Sequence, residues 1–440
     1  MTQTSRTDSA IDALMALHPK GYDLSLDRIR ALLARLGEPQ RAMPAVIHVA
    51  GTNGKGSTIA FARAALEAAG LRVHVHTSPH LVRWHERYRL GKPGGGLLAP
   101  DDLLADAIGR VAKANGGAPI TVFEILSAAM FVLFSEQPAD VALVEVGLGG
   151  RFDATNVLET AAVSVIAPIG LDHRMHLGDT LGAIAFEKAG ILRRDVPGVI
   201  AHQEREALDV IRARAQEVGA PLRIAGEDYE VRAEHGRLVY TDGDGLLDLP
   251  MPVMAGEHQT RNAATAIAAC RAFAGERIGQ AAAERAMMGA AWPARLQRLR
   301  EGALIDRLPD AAEVWLDGGH NGHAGAALAR FMEGRRAVDA RALTLIVGML
   351  DTKEPVEFLA PFLALRPRVL AVPVTGSESG IPAAALAAKA RALTLEAEAF
   401  DTLPEAVEAI AARGDAGRVL MCGSLYLAGE VLARNGTPPR

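Results

Sequence analysis

The chain has 440 residues, of which 49% are hydrophobic, and its formal net charge is −5. A chain of this length is too long to fold around one hydrophobic core of ordinary size, so two or three domains are expected. The acidic balance and the absence of a long basic run argue against nucleic acid as a partner. No leader pattern and no run of about 18 apolar residues occurs, so we expect a soluble, cytoplasmic protein without a membrane partner. Cys270 and Cys422 are far apart and are expected to be buried and reduced.

The first predicted elements are helical. Residues 1–44 predict two helical pieces that break near residues 19–21, and residues 24–36 are amphipathic. A β-branched strand follows over residues 46–49, and after a glycine loop an alanine-rich helix continues to about residue 69. Strand, loop and helix in this order can hold a phosphate.

The glycine loop has the sequence GTNGKGS over residues 51–57. Its glycines let backbone N–H groups turn inward, the next helix adds the positive end of its dipole, and Lys55 adds a cation. Ser57 can offer a hydroxyl to Mg²⁺. The common phosphate-loop pattern has a glycine where this chain has Val49, so the loop is a shortened form. A glycine-rich turn that binds nothing is the alternative interpretation.

Strands and helices alternate beyond the loop. The predicted strands cover residues 72–76, 141–146 and 163–169, and the predicted helices cover residues 101–113, 121–136 and a segment from Leu181. This alternation predicts an α/β fold with a doubly wound, mainly parallel sheet of the P-loop type.

Several polar side chains are expected at or just past the ends of successive predicted strands of one sheet, where open α/β sheets bind ligands. They are Lys55, Ser78, Glu145, His173 and Lys188. A carboxylate such as that of Glu145 is costly to bury in an apolar strand unless a cation meets it. Oxygen ligands from Ser78 and Glu145 together with the His173 imidazole therefore predict a site for Mg²⁺ or, given the histidine, Mn²⁺.

The second half of the chain predicts two further units. Short strand-like pieces near residues 201, 222–224, 229–231 and 238–240 suggest a small antiparallel addition. The pattern breaks at residues 292–297, and the strand–helix rhythm then restarts. We therefore predict a catalytic domain over residues 1–296 and a smaller Rossmann-like α/β domain over residues 297–440.

Eight motifs occur in an order that resembles the folylpolyglutamate synthases and dihydrofolate synthases, which are ATP-dependent Mur-type amide ligases. The motifs are residues 48–58 (HVAGTNGKGST), 77–87 (TSPHLVRWHER), 145–156 (EVGLGGRFDATN), 170–173 (GLDH), 187–191 (EKAGI), 256–262 (GEHQTRN), 292–297 (WPARLQ) and 317–321 (DGGHN). The resemblance extends over nearly the full length. It implies the two-domain Mur ligase architecture.

The resemblance also implies a reaction. A carboxylate of the folate-type substrate takes the γ-phosphoryl group of ATP, the amino group of L-glutamate attacks the acyl phosphate, and phosphate leaves. The expected acceptors are dihydropteroate, folylpolyglutamate or both, and the expected state is a monomer.

Site roles follow from the same resemblance. The implied ATP-binding residues are Gly54, Lys55, Gly56, Ser57, Asn262, Arg295, Asp317 and His320. The implied ligands of two Mg²⁺ sites are Ser57, Ser78, Glu145 and His173. Lys55, His173 and Lys188 are implied as catalytic. Lys188 matches a lysine that is carbamylated in the family, whereas a solvated surface lysine is the ordinary interpretation of such a position.

The resemblance places a pterin region in the first domain. Its implied residues are Leu26, Asp27, Arg28, Thr121, Val122, Phe123, Glu124, Phe152, Asp153 and Ala154. The carboxylates of Glu124 and Asp153 could pair with an aminopterin edge. Three departures from the usual family pattern are Gly319 in place of alanine, Ala294 in place of glycine, and Trp84 and Tyr88 on either side of residues 85–87. None of them removes a chemical group.

Three other functions are compatible with parts of the sequence. A Mur-type ligase for another acid normally has an additional N-terminal nucleotide-sugar domain, whereas this phosphate loop begins within about fifty residues of the start. A P-loop switch would hydrolyse ATP without glutamate or folate. A metal-dependent hydrolase built on Glu145, Asp172 and His173 would need no nucleotide.

Overall fold

The computed structural model describes residues 25–414 and 417–439, together with Thr7 and Ile11. Most of the first predicted helical piece therefore lies outside the described residues. The described residues form three sheets, of eight, three and six strands. Within the same residues, no helix has the length and apolar character needed to cross a membrane.

The largest sheet belongs to the first half of the chain. Its strands are β1 (Ala45–Ala50), β2 (Val73–His76), β3 (Tyr88–Leu90), β4 (Leu97–Leu98), β5 (Val141–Glu145), β6 (Val163–Ile166), β7 (Gly198–Ile200) and β8 (Leu222–Ile224). Their order across the sheet is β4-β3-β2-β5-β1-β6-β7-β8.

The four central strands, β2, β5, β1 and β6, are parallel neighbours. Every residue of β5 is buried, as expected for a strand covered on both faces. Val49 of β1 lies opposite Glu145 of β5, so the carboxyl ends of these strands meet at one edge. The prediction of a doubly wound, mainly parallel sheet is thereby confirmed, and β3 and β4 add an antiparallel edge.

Helices cover the sheets and connect their strands. They are α1 (Asp27–Arg35), α2 (Lys55–Ala68), α3 (Asp101–Asn115), α4 (Val122–Glu136), α5 (Arg174–Leu177), α6 (Leu181–Ala189), α7 (Arg205–Val218), α8 (Glu257–Ala274), α9 (Gln280–Gly289), α10 (Gly322–Val338), α11 (Pro355–Leu359), α12 (Ala383–Ala392), α13 (Leu403–Arg413) and α14 (Leu425–Arg434). Shorter 3₁₀ turns are Pro39–Ala42, Trp84–Arg87, Ala154–Val157, Gly275–Arg277, Ile305–Arg307 and Ala360–Leu365.

Two cores enclose the large sheet. On one face α2, α8 and α9 pack against the strands through small apolar residues, among them Ala65, Ala266 and Ala283. On the other face α1, α3 and α4 form a core that contains Leu32, Ile108 and Phe131. The alanine-rich composition of α2 and α8 lets them approach closely, which holds the glycine loop against the sheet.

The small sheet differs in part from its prediction. Strands β9 (Tyr229–Glu234), β10 (Arg237–Asp242) and β11 (Gly245–Pro250) form the antiparallel addition, and β10 and β11 are joined by a tight turn. The pieces near residues 201 and 222–224 do not join it. They correspond to β7 and β8, which extend the large sheet in parallel.

The last sheet lies in the second half of the chain. Its strands are β12 (Gln297–Leu299), β13 (Glu313–Leu316), β14 (Leu343–Val347), β15 (Arg368–Ala371), β16 (Ala397–Ala399) and β17 (Arg418–Cys422). Their order is β12-β13-β17-β14-β15-β16, and only β12 is antiparallel to its neighbour. The predicted second α/β unit is present, and its strand β13 leads into the Asp317 motif.

Candidate active site

The glycine loop lies between β1 and α2, at the carboxyl edge of the large sheet. The N–H groups of Thr52 and Asn53 donate to the Pro168 carbonyl oxygen at 2.9 and 3.2 Å, which ties the loop to the segment after β6. Gly54 has a φ of 84°, a left-handed conformation that glycine adopts without strain. The first N–H groups of α2 lie directly after it, so this turn can bind a phosphate.

Glu145 is the buried carboxylate of this edge, with 5% of its surface exposed. The Ser78 N–H donates to its Oε2 at 3.2 Å, and Lys55 Nζ lies 3.8 Å from its Oε1. Burial raises the pKa of Glu145, and the positive charge of Lys55 opposes that rise. Lys55 also donates to the Thr52 carbonyl oxygen at 3.2 Å, so its ammonium group lies between the loop and the carboxylate.

Lys188 comes from α6 and not from a strand end, although it reaches the same cavity. The residue is 5% exposed, and its Nζ donates to the Gly51 carbonyl oxygen at 2.9 Å. Burial lowers the pKa of Lys188 to about 7, and the nearby charge of Lys55 adds to this effect. Its amine is therefore partly neutral near neutral pH, unlike that of a solvated lysine.

His173 and Asp172 follow β6. Much of His173 is exposed, but its imidazole lines the cavity, and loss of water there lowers its pKa to about 4, with help from the charge of Lys353. Asp172 accepts from Lys353 Nζ at 2.5 Å and lies 3.4 Å from His320 Nε2. Burial acts to raise the pKa of Asp172, but His320 and Lys353 outweigh it and hold the pKa well below its usual value.

Residues of the last sheet complete the cavity from the other side. Asp317, at the end of β13, is buried and accepts from the Leu296 and Gly319 N–H groups, both at 2.7 Å. Burial raises the pKa of Asp317, and the charge of Arg295 opposes this. Asn262 of α8 lies against Gly54, since a Cβ on Gly54 would be 2.6 Å from its Oδ1.

These groups line one cavity of about 200 Å³. Among its walls are the sequence-predicted residues Gly54, Lys55, Gly56, Ser57, Ser78, Glu145, His173, Lys188, Asn262, Arg295, Asp317 and His320. The structure thus brings all the predicted ATP, metal and catalytic residues to one place, between two sheets.

The first cavity offers oxygen ligands that suit one kind of metal ion. Among the described residues, no three His, Cys, Asp or Glu side chains form a metal-binding group. The cavity instead offers the hydroxyls of Ser57 and Ser78 and one buried carboxylate, that of Glu145. Such a set fits Mg²⁺, which takes few protein oxygens and keeps waters and nucleotide phosphates as its other ligands.

A second cavity, of about 290 Å³, adjoins the first. Its walls include the predicted residues Arg28, Thr121, Phe123, Glu124, Phe152, Asp153 and Ala154. The structure does not bring the other three predicted residues to it. Leu26 and Val122 pack into the neighbouring core, and Asp27 accepts from the Ser25 hydroxyl at 2.9 Å.

Some residues of both cavities were missed by the sequence reasoning. Lys353, Asn321 and His323 connect the second sheet to the loop residues Asp172 and Asn53. His258 and Arg87 line the first and second cavity, respectively. Arg87, His258 and Asn321 lie inside motifs of the family resemblance, so membership of a motif could have indicated them. His323 and Lys353 lie outside these motifs.

The fold and this site define an ATP-dependent ligase of the Mur type. A family model, the C-terminal domain of dihydrofolate synthetase, matches residues 305–434. The dihydrofolate synthase/folylpolyglutamate synthase of Escherichia coli is 34% identical over 428 residues, covering 96% of this chain and 94% of the relative. That of Mycobacterium tuberculosis is 35% identical, with 95% and 91% covered. The chain belongs to the dihydrofolate synthase/folylpolyglutamate synthase family.

Solved structures agree in fold. E. coli FolC in complex with DHPP and ADP has a TM-score of 0.85 at 33% identity, with 97% of each chain covered. A folylpolyglutamate synthase of M. tuberculosis complexed with ADP has a TM-score of 0.86 at 28% identity, with 99% and 100% covered. A bifunctional synthase with Mn, AMPPNP and L-glutamate bound has a TM-score of 0.82 at 30% identity, with 98% and 99% covered. The family uses ATP and a divalent metal.

Proposed function

We propose that this chain joins L-glutamate to dihydropteroate and to reduced folates through an acyl phosphate made from ATP. One observation carries the proposal: the two cavities share a wall. Ser78, Pro79, Gly147 and Leu148 line both of them, and Glu145 lies beside that wall in the first cavity. A carboxylate that enters from the second cavity would therefore meet a γ-phosphate held by the glycine loop.

The chain's own residues support each stage of this chemistry. The loop N–H groups and Lys55 bind the phosphates, and Lys55 stabilises charge that develops during phosphoryl transfer. A carboxylate oxygen of the acceptor attacks the γ-phosphorus as the bond to ADP breaks. The glutamate amine then attacks the carbonyl carbon of the acyl phosphate and forms the C–N bond of a tetrahedral intermediate. That intermediate loses a proton from nitrogen to water, and its C–O bond to phosphate breaks, which leaves the amide. Asn262 would contact adenine, and Arg295, Asp317 and His320 would hold the phosphate and ribose from the other side.

We assign the metal ligands from the kind of donor atom that each side chain provides. Ser57, Ser78 and Glu145 would hold Mg²⁺, and His173 would take part in a second site. When bound, the ion withdraws electron density from the phosphate oxygens and so favours transfer. Lys55 Nζ lies 3.8 Å from the Glu145 carboxylate, beside this proposed site.

For Lys188 we propose carbamylation. The buried amine has a pKa near 7, so a neutral nucleophile is available to react with CO₂. The amine nitrogen forms a bond to the carbon of CO₂ and loses a proton, which leaves a carbamate. The product would place a negative charge beside Lys55, where a divalent ion can also bind.

The pterin would occupy the second cavity. Phe123 and Phe152 give it apolar walls, and Glu124 and Asp153 contribute carboxylates. Leu26, Asp27 and Val122 would act only through packing, because they lie outside the cavity walls.

We also propose the domain division at residues 296 and 297. Strand β12 begins at Gln297 and pairs with β13 of the second sheet, whereas α8 and α9 pack on α2 of the first. A cytoplasmic monomer remains our proposal for location and assembly, and two buried free cysteines agree with a reducing compartment. Sedimentation velocity would test the monomer.

The decisive assay measures ADP release and amide formation with ATP and L-glutamate. Dihydropteroate and tetrahydrofolate are offered separately, and each is omitted in a control. We expect ADP release only when glutamate and one acceptor are both present. ATP hydrolysis without either would instead indicate a P-loop switch, and turnover without nucleotide would indicate a hydrolase. Activity with only one acceptor would reduce the proposal to a single synthase activity.

A further inference from the structure

Arg87 is a buried cation in the wall of the second cavity. It ends the 3₁₀ turn Trp84–Arg87, and only 8% of its surface is exposed. Its Nε donates to His80 Nδ1 at 3.0 Å, and its guanidinium lies over the Trp84 ring at 4.8 Å. Within the described part of the chain, Arg87 forms no ion pair, and its terminal nitrogens make no hydrogen bond.

The two carboxylates of this cavity have partners other than Arg87. Arg28 Nε donates to both carboxylate oxygens of Glu124 at 3.1 Å. Asp153 accepts from the Thr155 N–H and hydroxyl at 2.9 and 2.5 Å and from the Leu148 N–H at 2.8 Å. Neither carboxylate pairs with Arg87, so among the described residues its positive charge has no counter-ion.

An isolated buried charge is costly, and an arginine cannot relieve the cost by losing its proton. Burial lowers the pKa of Arg87, and the charges that oppose this shift belong to Tyr88, Tyr426, Glu145 and Glu86. The Glu86 carboxylate accepts from the backbone N–H groups of residues 81–83. His80 does not supply a negative charge, because an imidazole is either neutral or cationic, and its Nδ1 only accepts the Arg87 Nε hydrogen bond. His80 and Trp84 fix the guanidinium while its terminal N–H groups stay free for an anion.

The place of Arg87 indicates which anion. The cavity that it lines shares the wall of Ser78 and Pro79 with the phosphate site. A planar guanidinium matches a carboxylate with two parallel hydrogen bonds. We propose that Arg87 binds the carboxylate of the acyl substrate and so selects acids over uncharged analogues. This inference rests on the proposed function and adds a specificity-determining residue to it.

The test measures binding of two probes, pteroic acid and its methyl ester, to the full chain without ATP. Calorimetry gives both dissociation constants. The wild type should bind the acid roughly 10- to 100-fold more tightly than the ester, the range of a hydrogen-bonded charge. Arg87→Met should bind the two probes equally, with the affinity for the ester unchanged. Arg87→Lys should keep part of the preference, since it keeps the charge without the paired geometry.

Arg271→Met is the matched control. Arg271 is also 8% exposed and pairs with Asp242 at 2.5 Å beside the small sheet, outside both cavities. It should lose thermal stability and keep the full preference for the acid.

The outcomes separate this inference from the proposed function. If the wild type binds neither probe, the proposed substrate class is wrong and Arg87 loses its ligand. If the wild type binds both equally, or if Arg87→Met keeps the preference, the acceptor class stands and the role of Arg87 is wrong. If circular dichroism shows that Arg87→Met does not fold, Arg87→Lys and Arg87→Gln replace it. The ratio of their dissociation constants for the acid and the ester then tests the role of Arg87.

Discussion

At the scale of residues, two lysines of one cavity are given different chemistry by their surroundings. Lys55 Nζ lies 3.8 Å from the Glu145 carboxylate, which gives its ammonium group an acidic partner. Lys188 Nζ donates to the Gly51 carbonyl oxygen and to no other described residue. Because the amine is buried, its pKa falls to about 7. One amine can therefore act as a cation and the other as a nucleophile.

Replacement of Lys55 tests the first role. We expect Lys55→Ala to lower kcat/KM for ATP by at least about 100-fold, because the developing phosphoryl charge loses its cation and Glu145 loses the lysine 3.8 Å from its carboxylate. Steady-state assays with varied ATP measure this. Lys389→Ala changes an exposed lysine of α12 and should be neutral. Near-normal turnover of folded Lys55→Ala would contradict the assignment.

The pH dependence of carbamylation tests the second role. The charged amine of Lys188 predominates below its pKa of about 7 and the neutral amine above it, so with CO₂ limiting, activity should rise between about pH 6 and about pH 8. Lys188→Ala should be inactive and partly rescued by acetate or formate. Native mass spectrometry should find the added CO₂ on the wild type only. Full activity of Lys188→Ala would refute the role.

At the scale of elements, the active edge depends on the unit β1–loop–α2. A buried strand, a left-handed glycine and a close-packed helix place the free N–H groups of α2 in the cavity. Gly54 is essential to this geometry, since an added Cβ would strain its φ of 84° and lie 2.6 Å from Asn262 Oδ1.

Two glycine substitutions separate strain from function. Gly54→Ala should lose about 1 kcal/mol of stability through its left-handed backbone and raise KM for ATP about tenfold or more by displacing Asn262. Gly70 has nearly the same φ, 83°, with nothing within 4 Å of an added Cβ. Gly70→Ala should show the stability loss with unchanged KM. Thermal melts and ATP titrations compare them, and equal KM values for both variants would disprove a role of the Asn262 contact.

At the scale of the whole molecule, the two large sheets are connected through Asp172. Lys353 Nζ donates to Asp172 Oδ1 at 2.5 Å, and Asn321 Nδ2 donates to Asp172 Oδ2 at 3.1 Å. The side-chain amides of Asn321 and Asn53 also donate to each other. The side chains of Asp172 and Lys353 are 9% and 10% exposed, so solvent screens this pair only weakly. We therefore expect closure of the cleft and assembly of the ATP site to be linked.

Removal of Lys353 tests this link. Breaking one side of a buried pair costs about 3–5 kcal/mol, so Lys353→Met should open the cleft and lower kcat/KM markedly. Small-angle scattering should show a larger radius of gyration. Because the pKa of Asp172 is held below its usual value, the contact is complete above the unfolded pKa and is lost only in stronger acid.

The control for this prediction is a solvent-exposed pair. Arg307 and Glu408 lie 3.0 Å apart, with 50% and 62% of their side chains exposed. Arg307→Met should leave the scattering profile and the activity unchanged, since surface pairs contribute little. An unchanged profile for Lys353→Met as well would show that the link does not hold the cleft closed.

Local patterns in the sequence predicted the strands that hold the site. The apolar run that ends in Glu145 and the glycine loop after β1 carry short-range signals, and parallel strands bring such ends together whatever the rest of the chain does. Three-residue strands lack that signal. The pieces near residues 201 and 222–224 were assigned to the wrong sheet because pairing with β6 and then β7 decides their place.

By itself the sequence determined the fold class, the family and the phosphate-binding chemistry, since these depend on residue type, order and spacing along the chain. Tertiary structure alone decided which charges are compensated. Arg87 and Lys353 are ordinary surface-type residues in a sequence, and only packing buries one without a counter-ion and joins the other to Asp172 across the cleft. Burial and counter-ions depend on residues far apart in the chain, which no local pattern encodes.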